Sequence, residues 1–194
     1  MMIRAASLAP QPWKNGGGMT REIATGPQGA SLDGFAWRLS LADVALEGAF
    51  SSFAGVDRVL VLLDGAGMRL AEADGATHVL DRPLAMARFA GETKIHATPI
   101  DGPTRDFNVM VRRDLARAAV EARRGAHAVA CAHDVTFVFC VSGQIEIELA
   151  DGARLTLHSG DTLQLDQPAV CIAEDDAGWL HIGIDLNQDR ETVG

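Results

Sequence analysis

Short apolar runs closed by glycine set the rhythm of this chain. Val56–Leu63 is largely aliphatic and ends at Asp64-Gly65, and Val135–Val141 mixes β-branched and aromatic residues and ends at Ser142-Gly143. Runs of this length and composition predict buried strands. Gln144–Leu149 alternates polar and apolar residues with period two, which predicts a strand buried on one face. Asp74-Gly75 and Asp151-Gly152 lie between strand-like runs, as hairpin turns do. Residues 114–124, DLARAAVEARR, break the pattern: they are good helix formers behind an aspartate able to cap them, so helix and strand both stand open there.

The pattern occurs twice. Leu63-Asp64-Gly65 and Val141-Ser142-Gly143 are offset by 78 residues, the two Asp-Gly turns by 77, and Phe89–Glu92 and His158–Asp161 by 69. Each copy then runs strand, glycine turn, strand, Asp-Gly turn, strand, glycine-acid turn, strand, the order of a small jelly roll. The expected fold is all-β: two jelly-roll-like β-barrel halves, residues 1–113 and 114–194, packed in one compact unit.

Composition narrows the function classes. The 194 residues are 47% hydrophobic and 22% charged, with a formal charge of −9. A chain this acidic is not expected to bind nucleic acid, because phosphate-backbone affinity comes from Lys and Arg. No apolar stretch is long enough for a membrane helix, and the N-terminal residues lack the apolar core of a secretion signal. Neither a membrane nor an export route is therefore expected. Cys131, Cys140 and Cys171 form no CxxC and read as free thiols of a reducing cytoplasm. Fifteen of the seventeen basic residues are arginines, so an anionic ligand would mostly meet guanidinium forks.

Two stretches concentrate recognition chemistry. Pro12–Ile23 contains three consecutive glycines flanked by Trp13, Lys14, Asn15, Thr20, Arg21 and Glu22. The glycines allow close backbone approach or positive φ, and the polar groups suit a loop folded over a pocket mouth. Between Asp106 and Arg112, Asp106, Asn108, Met110 and Arg112 alternate with Phe107, Val109 and Val111; Arg38 and Ser40 alternate likewise with Trp37 and Leu39. On strands, each polar set shares one face, either solvated or turned into a barrel holding a polar ligand.

Pro12–Gly18 with Thr20–Ile23, Trp37–Val44, Gly48–Arg58, Asp64–Met68 and Asp106–Met110 form an ordered set that resembles the HutD/Ves family. The resemblance covers roughly residues 10–113, and the second half follows it in layout more than in motif; Ala49 and Ala54 stand where prolines are frequent. It implies a bicupin fold and a cytoplasmic bacterial protein with a regulatory or small-molecule-binding role in histidine utilisation or stress response. No catalytic activity is firmly attached to the family. The implied ligand is a histidine-pathway carboxylate such as urocanate or a formylated or formiminylated glutamate. Lys14, Arg21, Arg38 and Arg58 would supply charge for it, and Asn15 and Asn108 amide recognition.

Cupin barrels commonly hold a metal through His-x-His and a following glutamate. Here no two of the six histidines are spaced by two. The corresponding positions fall near Ser51, Phe53 and Arg58 in the first half and Val129, Cys131 and Thr136 in the second. A guanidinium in place of a carboxylate repels a divalent cation, so no metal and no cofactor are expected. The candidate ligand-binding set is Trp13, Lys14, Asn15, Thr20, Arg21, Glu22, Arg38, Ser40, Arg58, Asp106 and Asn108. The leading expectation is a non-enzymatic binder of a small anionic metabolite. The alternative is an enzyme acting on a small carboxylate, either metal-dependent or metal-free, with Glu22 or Asp106 as base. An interaction module acting on a protein partner is a third class. An edge-to-edge homodimer is also expected, since open strand edges pair.

Overall fold

Residues 104–112 show why the chain folds as stacked sheets. Phe107, Val109 and Val111 point one way and Asp106, Asn108 and Met110 the other, and all six are buried. A strand covered on both faces must lie between two layers. The computed structural model describes residues 1–174 and 176–187, and it places two layers of sheet in each half.

In the first half a six-stranded sheet orders Pro10–Pro12, Gly18–Gly26, Trp37–Val44, Thr104–Arg112, Val56–Asp64 and Met86–Ala90. It faces a four-stranded sheet of Gly48–Ala49, Ile95–Pro99, Met68–Glu72 and Thr77–Leu80. The second half pairs a five-stranded sheet with a four-stranded one. The five are Met2–Ile3, Thr162–Leu165, Val135–Cys140, Gly178–Leu186 and Ala116–Arg124. The four are His127–Val129, Ala169–Ala173, Gln144–Leu149 and Arg154–His158. Every pairing is antiparallel, as in a jelly roll. The chain's first strand, Met2–Ile3, joins the second half's sheet, and the adjoining Arg4 pairs with Asp161 there at 2.7 Å.

Three large cores follow from the alternation, beside a small cluster of Phe35, Val56 and Met110. One fills each barrel: Leu60, Leu62, Met68, Leu70, Ile95 and Ala97 in the first, and Val138, Cys140, Ile145, Ile147 and Trp179 in the second. The third lies between the two large sheets, where Phe107 meets Phe139 at 4.6 Å and Trp37 meets Phe137 at 5.5 Å between ring centroids. This shared core joins the halves into the all-β bicupin.

The internal repeat is visible in detail. Gly75 and Gly152 both take positive φ, at 98° and 85°. The preceding aspartates, Asp74 and Asp151, accept bonds from the amides of Ala76 and Ala153 at 3.0 and 2.9 Å. Each turn is thus closed by the same side-chain device. The open question at residues 114–124 resolves as strand: Ala116–Arg124 pairs residue for residue with Gly178–Leu186. Ala116 and Val120 enter the shared core, and that pairing overrides the local helix preference.

Candidate functional site

Three adjacent strands of the six-stranded sheet build the inner wall of a cavity of about 660 Å³ in the first barrel. Their register aligns the polar residues in rows. Arg38, Met110 and Arg58 form one row, Ser40, Asn108 and Leu60 the next, and Ala42, Asp106 and Leu62 the third. Side chains in a row are cross-strand neighbours, so the polar set converges by pairing, although it spans 71 positions of sequence. The polar face of Thr104–Arg112 is therefore turned into the barrel from Asp106 to Met110.

The mouth is covered by the glycine-rich segment. Pro10–Pro12 and Gly18–Gly26 form a hairpin whose tip carries Trp13, Lys14 and Asn15 over the opening. Trp13 Nε1 donates to Thr20 Oγ1 at 2.7 Å, and Asn15 Oδ1 accepts from the Gly17 amide at 3.0 Å. Gly18 has a spatial reason: a Cβ there would lie 2.3 Å from the Asp43 carbonyl oxygen. That atom is backbone and cannot retreat. Gly18→Ala is expected to cost about 1–3 kcal/mol of stability through overpacking, read as a lower urea midpoint with unchanged m-value.

Trp13, Lys14, Asn15, Thr20, Arg38, Ser40, Arg58, Asp106 and Asn108 all line the cavity; Arg21 and Glu22 do not. Arg21 pairs with Leu41 and so points to the opposite face of its strand, where it and Arg105 grip Asp43. Burial alone would raise Asp43, but the two guanidiniums hold its carboxyl below the usual range. Glu22 stands behind Arg38 and accepts from its Nε at 2.9 Å, while Arg38 Nη1 donates to Ser40 at 3.2 Å. Arg38 is thereby neutralised and fixed; Arg21 is a correction to the candidate set.

Arg58 differs from Arg38. It is only 7% exposed, and among the described residues its Nε has no partner and its one side-chain bond is a long 3.5 Å contact from Nη1 to the Ser51 carbonyl. Three rings surround the guanidinium instead, with centroids 5.3, 5.8 and 5.1 Å away at Phe50, Phe53 and Phe89. Ring faces favour a cation without satisfying its N–H groups. Burial, with Arg38 nearby, lowers its pKa to about 10, so it stays charged at neutral pH. The aromatic cage is the part of the site that residue chemistry alone did not single out. In the sequence Phe50 stands only within the motif Gly48–Arg58, and Phe53 stands there and near an expected metal position.

Asp106 is the opposite charge in the same space. It is fully buried, its Oδ2 accepts from Thr104 at 3.3 Å, and its Oδ1 has no partner, like Oδ1 of Asn108. Burial pushes its pKa up to about 7, the Thr104 hydroxyl opposes this, and Asp43 adds to it.

Ser51, Phe53 and Arg58, near which the metal-bearing positions of a cupin barrel are expected to fall, all line the cavity. A hydroxyl, a phenyl ring and a guanidinium offer no set of ligands, and the positive charge repels a cation, so these residues do not fit a divalent ion. Among the described residues no three His, Cys, Asp or Glu side chains come together to hold one. No helix there is long and apolar enough to cross a membrane.

The structure is similar to that of HutD from Pseudomonas fluorescens SBW25, with TM-score 0.84, 31% identity, and 97% of this chain and 99% of the other covered. It is also similar to the conserved protein of unknown function PA5104 from Pseudomonas aeruginosa PAO1, with TM-score 0.87, 34% identity, and 95% and 98% covered. In sequence, an uncharacterized 21.2 kDa protein in the hutC 3′ region of Pseudomonas putida is 36% identical over 165 residues, 85% of this chain and 86% of that protein. The HutD family model matches residues 5–181, hairpin, cavity wall and shared core included, and the chain therefore belongs to the HutD family.

Proposed function

We propose that this bicupin is a non-enzymatic receptor for a small carboxylate, acting as a regulator associated with histidine utilisation or stress response. One observation carries the ligand class: Arg58 is a buried cation with no acidic partner among the described residues, and it lines a cavity of ligand size. A buried charge without a counter-ion is costly, and a bound anion supplies the missing partner. Arg38 already has Glu22, and Lys14 is exposed at the mouth, so Arg58 is the buried cation left for the ligand. The hut setting comes from the family and from the location of the P. putida relative. Carboxylates of that pathway, urocanate, N-formyl-L-glutamate and N-formimino-L-glutamate, are the ligands to try.

Thermal unfolding tests the proposal. A carboxylate present at a hundred times its dissociation constant stabilises by about 2.7 kcal/mol. For a chain of this size that is a midpoint rise of several degrees. Histamine, which keeps the imidazole and lacks the carboxylate, should give no shift. No shift with any of the three acids at millimolar concentration would overturn the assignment.

Asp106 supports a second reading, in which the cavity turns its ligand over. A buried carboxyl with a pKa of about 7 is suited to general acid–base work. In that case the proton NMR spectrum of urocanate or N-formyl-L-glutamate changes on incubation with the native protein and stays constant with Asp106→Asn.

A further inference from the structure

Among the described residues, three buried side-chain atoms of residues lining this cavity lack any partner: Nε of Arg58 and Oδ1 of both Asp106 and Asn108. The first is a donor and suits the carboxylate proposed above. The other two are acceptors as they stand, and a carboxylate ligand brings only more acceptor oxygens. An anion seated against Arg58, one row from Asn108 and two from Asp106, therefore faces a mismatch that the heavy atoms alone do not remove.

Turning the Asn108 amide over presents Nδ2 as a donor, and Asp106 becomes a donor only with a proton. The groups facing Asp106 leave no cation to hold its charge. On its own strand are Thr104 and Asn108. On Trp37–Val44 are Ala42 opposite, then Ser40 and Arg38, with Asp43 on the reverse face. On Val56–Asp64 are Leu62 opposite, then Leu60 and Arg58. Gly18–Gly26 adds Thr20 and Glu22, the hairpin tip adds Lys14, and the facing sheet adds apolar Met68, Leu70, Ile95 and Ala97. Arg38 is held by Glu22 and Ser40, and Arg58 by its aromatic cage. The acid closest in effect is Asp43, which disfavours a second negative charge.

We infer that Asp106 meets the ligand as the neutral carboxylic acid, its O–H donated to the bound anion, so that binding to a molecule whose Asp106 is ionised takes up one proton. This rests on the carboxylate-binding reading and deepens it: the site is a proton-linked receptor. The proton comes from solvent, no covalent bond to the ligand changes, and the cavity's net charge is unaltered when a monoanion binds to the form with Asp106 ionised. An O–H to carboxylate bond is among the stronger hydrogen bonds, and an apolar site can keep a carboxylic acid neutral for this use.

The consequence is quantitative. With half-protonation at about 7 in the free protein, nine-tenths of molecules are competent at pH 6 and about one in a hundred at pH 9. Affinity should fall by about ninetyfold across that range. N-formyl-L-glutamate is the probe, because both its carboxyls stay ionised throughout. Calorimetric titration of the native protein at pH 8, in phosphate and in Tris, should give heats that differ by the buffers' ionisation enthalpies times about 0.9 proton per ligand. Asp106→Asn should show no buffer dependence and should bind more tightly than the native protein at pH 9. Equal heats in the two buffers overturn the proton linkage alone, as does proton uptake that persists in Asp106→Asn. If that variant does not fold, the two-buffer comparison on the native protein decides. Failure to bind at any pH from 6 to 9 overturns the carboxylate reading itself, and the linkage with it.

Discussion

Arg58→Met is expected to weaken carboxylate binding by about thirtyfold or more while raising the stability of the ligand-free protein. Removing one partner of a buried charge-assisted contact costs about 2–5 kcal/mol of binding, much of it from stranding the other charge. Here the stranded group is the ligand's carboxylate, which would enter an aromatic-lined space with no cation facing it. Stability moves the other way because the unliganded guanidinium is itself stranded, with Nε unpartnered and only the long Ser51 contact at Nη1. Methionine has nearly the length to fill the space among Phe50, Phe53 and Phe89, and its sulfur packs well against rings. Replacing a buried, uncompensated charge by a hydrophobic side chain gains about 1–3 kcal/mol, which appears as a midpoint higher by several degrees in scanning calorimetry. The paired result, weaker binding with greater stability, is what distinguishes a receptor residue from a structural one. Affinity that survives the change would move the anion to Arg38 or Lys14. A lower midpoint would mean that the cation helps to hold the barrel together.

The second large effect concerns the ligand-free protein and pH. Asp106 has a folded pKa of about 7 against 3.8 for the free side chain, so between those values the folded state binds more protons than the unfolded one. Stability therefore falls as pH rises from about 4 to 7 and levels off above, by up to about 4 kcal/mol for this group. Asp43 and Asp161 work in the opposite sense: their lowered pKa values add stability that disappears as pH falls through them. The native profile mixes both contributions, and the difference between native protein and Asp106→Asn isolates the first. The variant should match the native midpoint near pH 4 and exceed it by several degrees at pH 8, with the gap opening between those limits. A constant gap across the range would place the ionisation elsewhere.

Much of this fold is legible in the order of residues because strands report their own burial. Val56–Leu63 and Val135–Val141 read as buried strands since each lies between two layers, and the Asp-Gly pairs read as turns since φ near 90° strongly favours glycine there. The same parity that assigned Asp106 and Asn108 to one face also separates Thr20 from Arg21. The candidate set included both neighbours because their chemistry suits an anion, yet successive side chains leave a strand on opposite faces. Arg21 went to Asp43 for that reason. Residues 114–124 were ambiguous because alanine and arginine favour a helix in isolation, whereas nine cross-strand pairs with Gly178–Leu186 exist only after the chain has returned.

The cage around Arg58 shows the limit from the other side. Phe50, Phe53 and Phe89 come from a loop and an edge strand, and no periodicity links them to one arginine. Their shared contact is a product of barrel closure. The sequence by itself determined the two β halves, their turns, the polar faces and an acidic chain with a local cationic set. Those follow from short-range rules of backbone geometry and side-chain alternation. Only the tertiary structure decided that Arg38 is spent on Glu22 while Arg58 is left without an acid, and that Asp106 is buried beyond the reach of a cation. Charge compensation and desolvation depend on distances between strands remote in the chain.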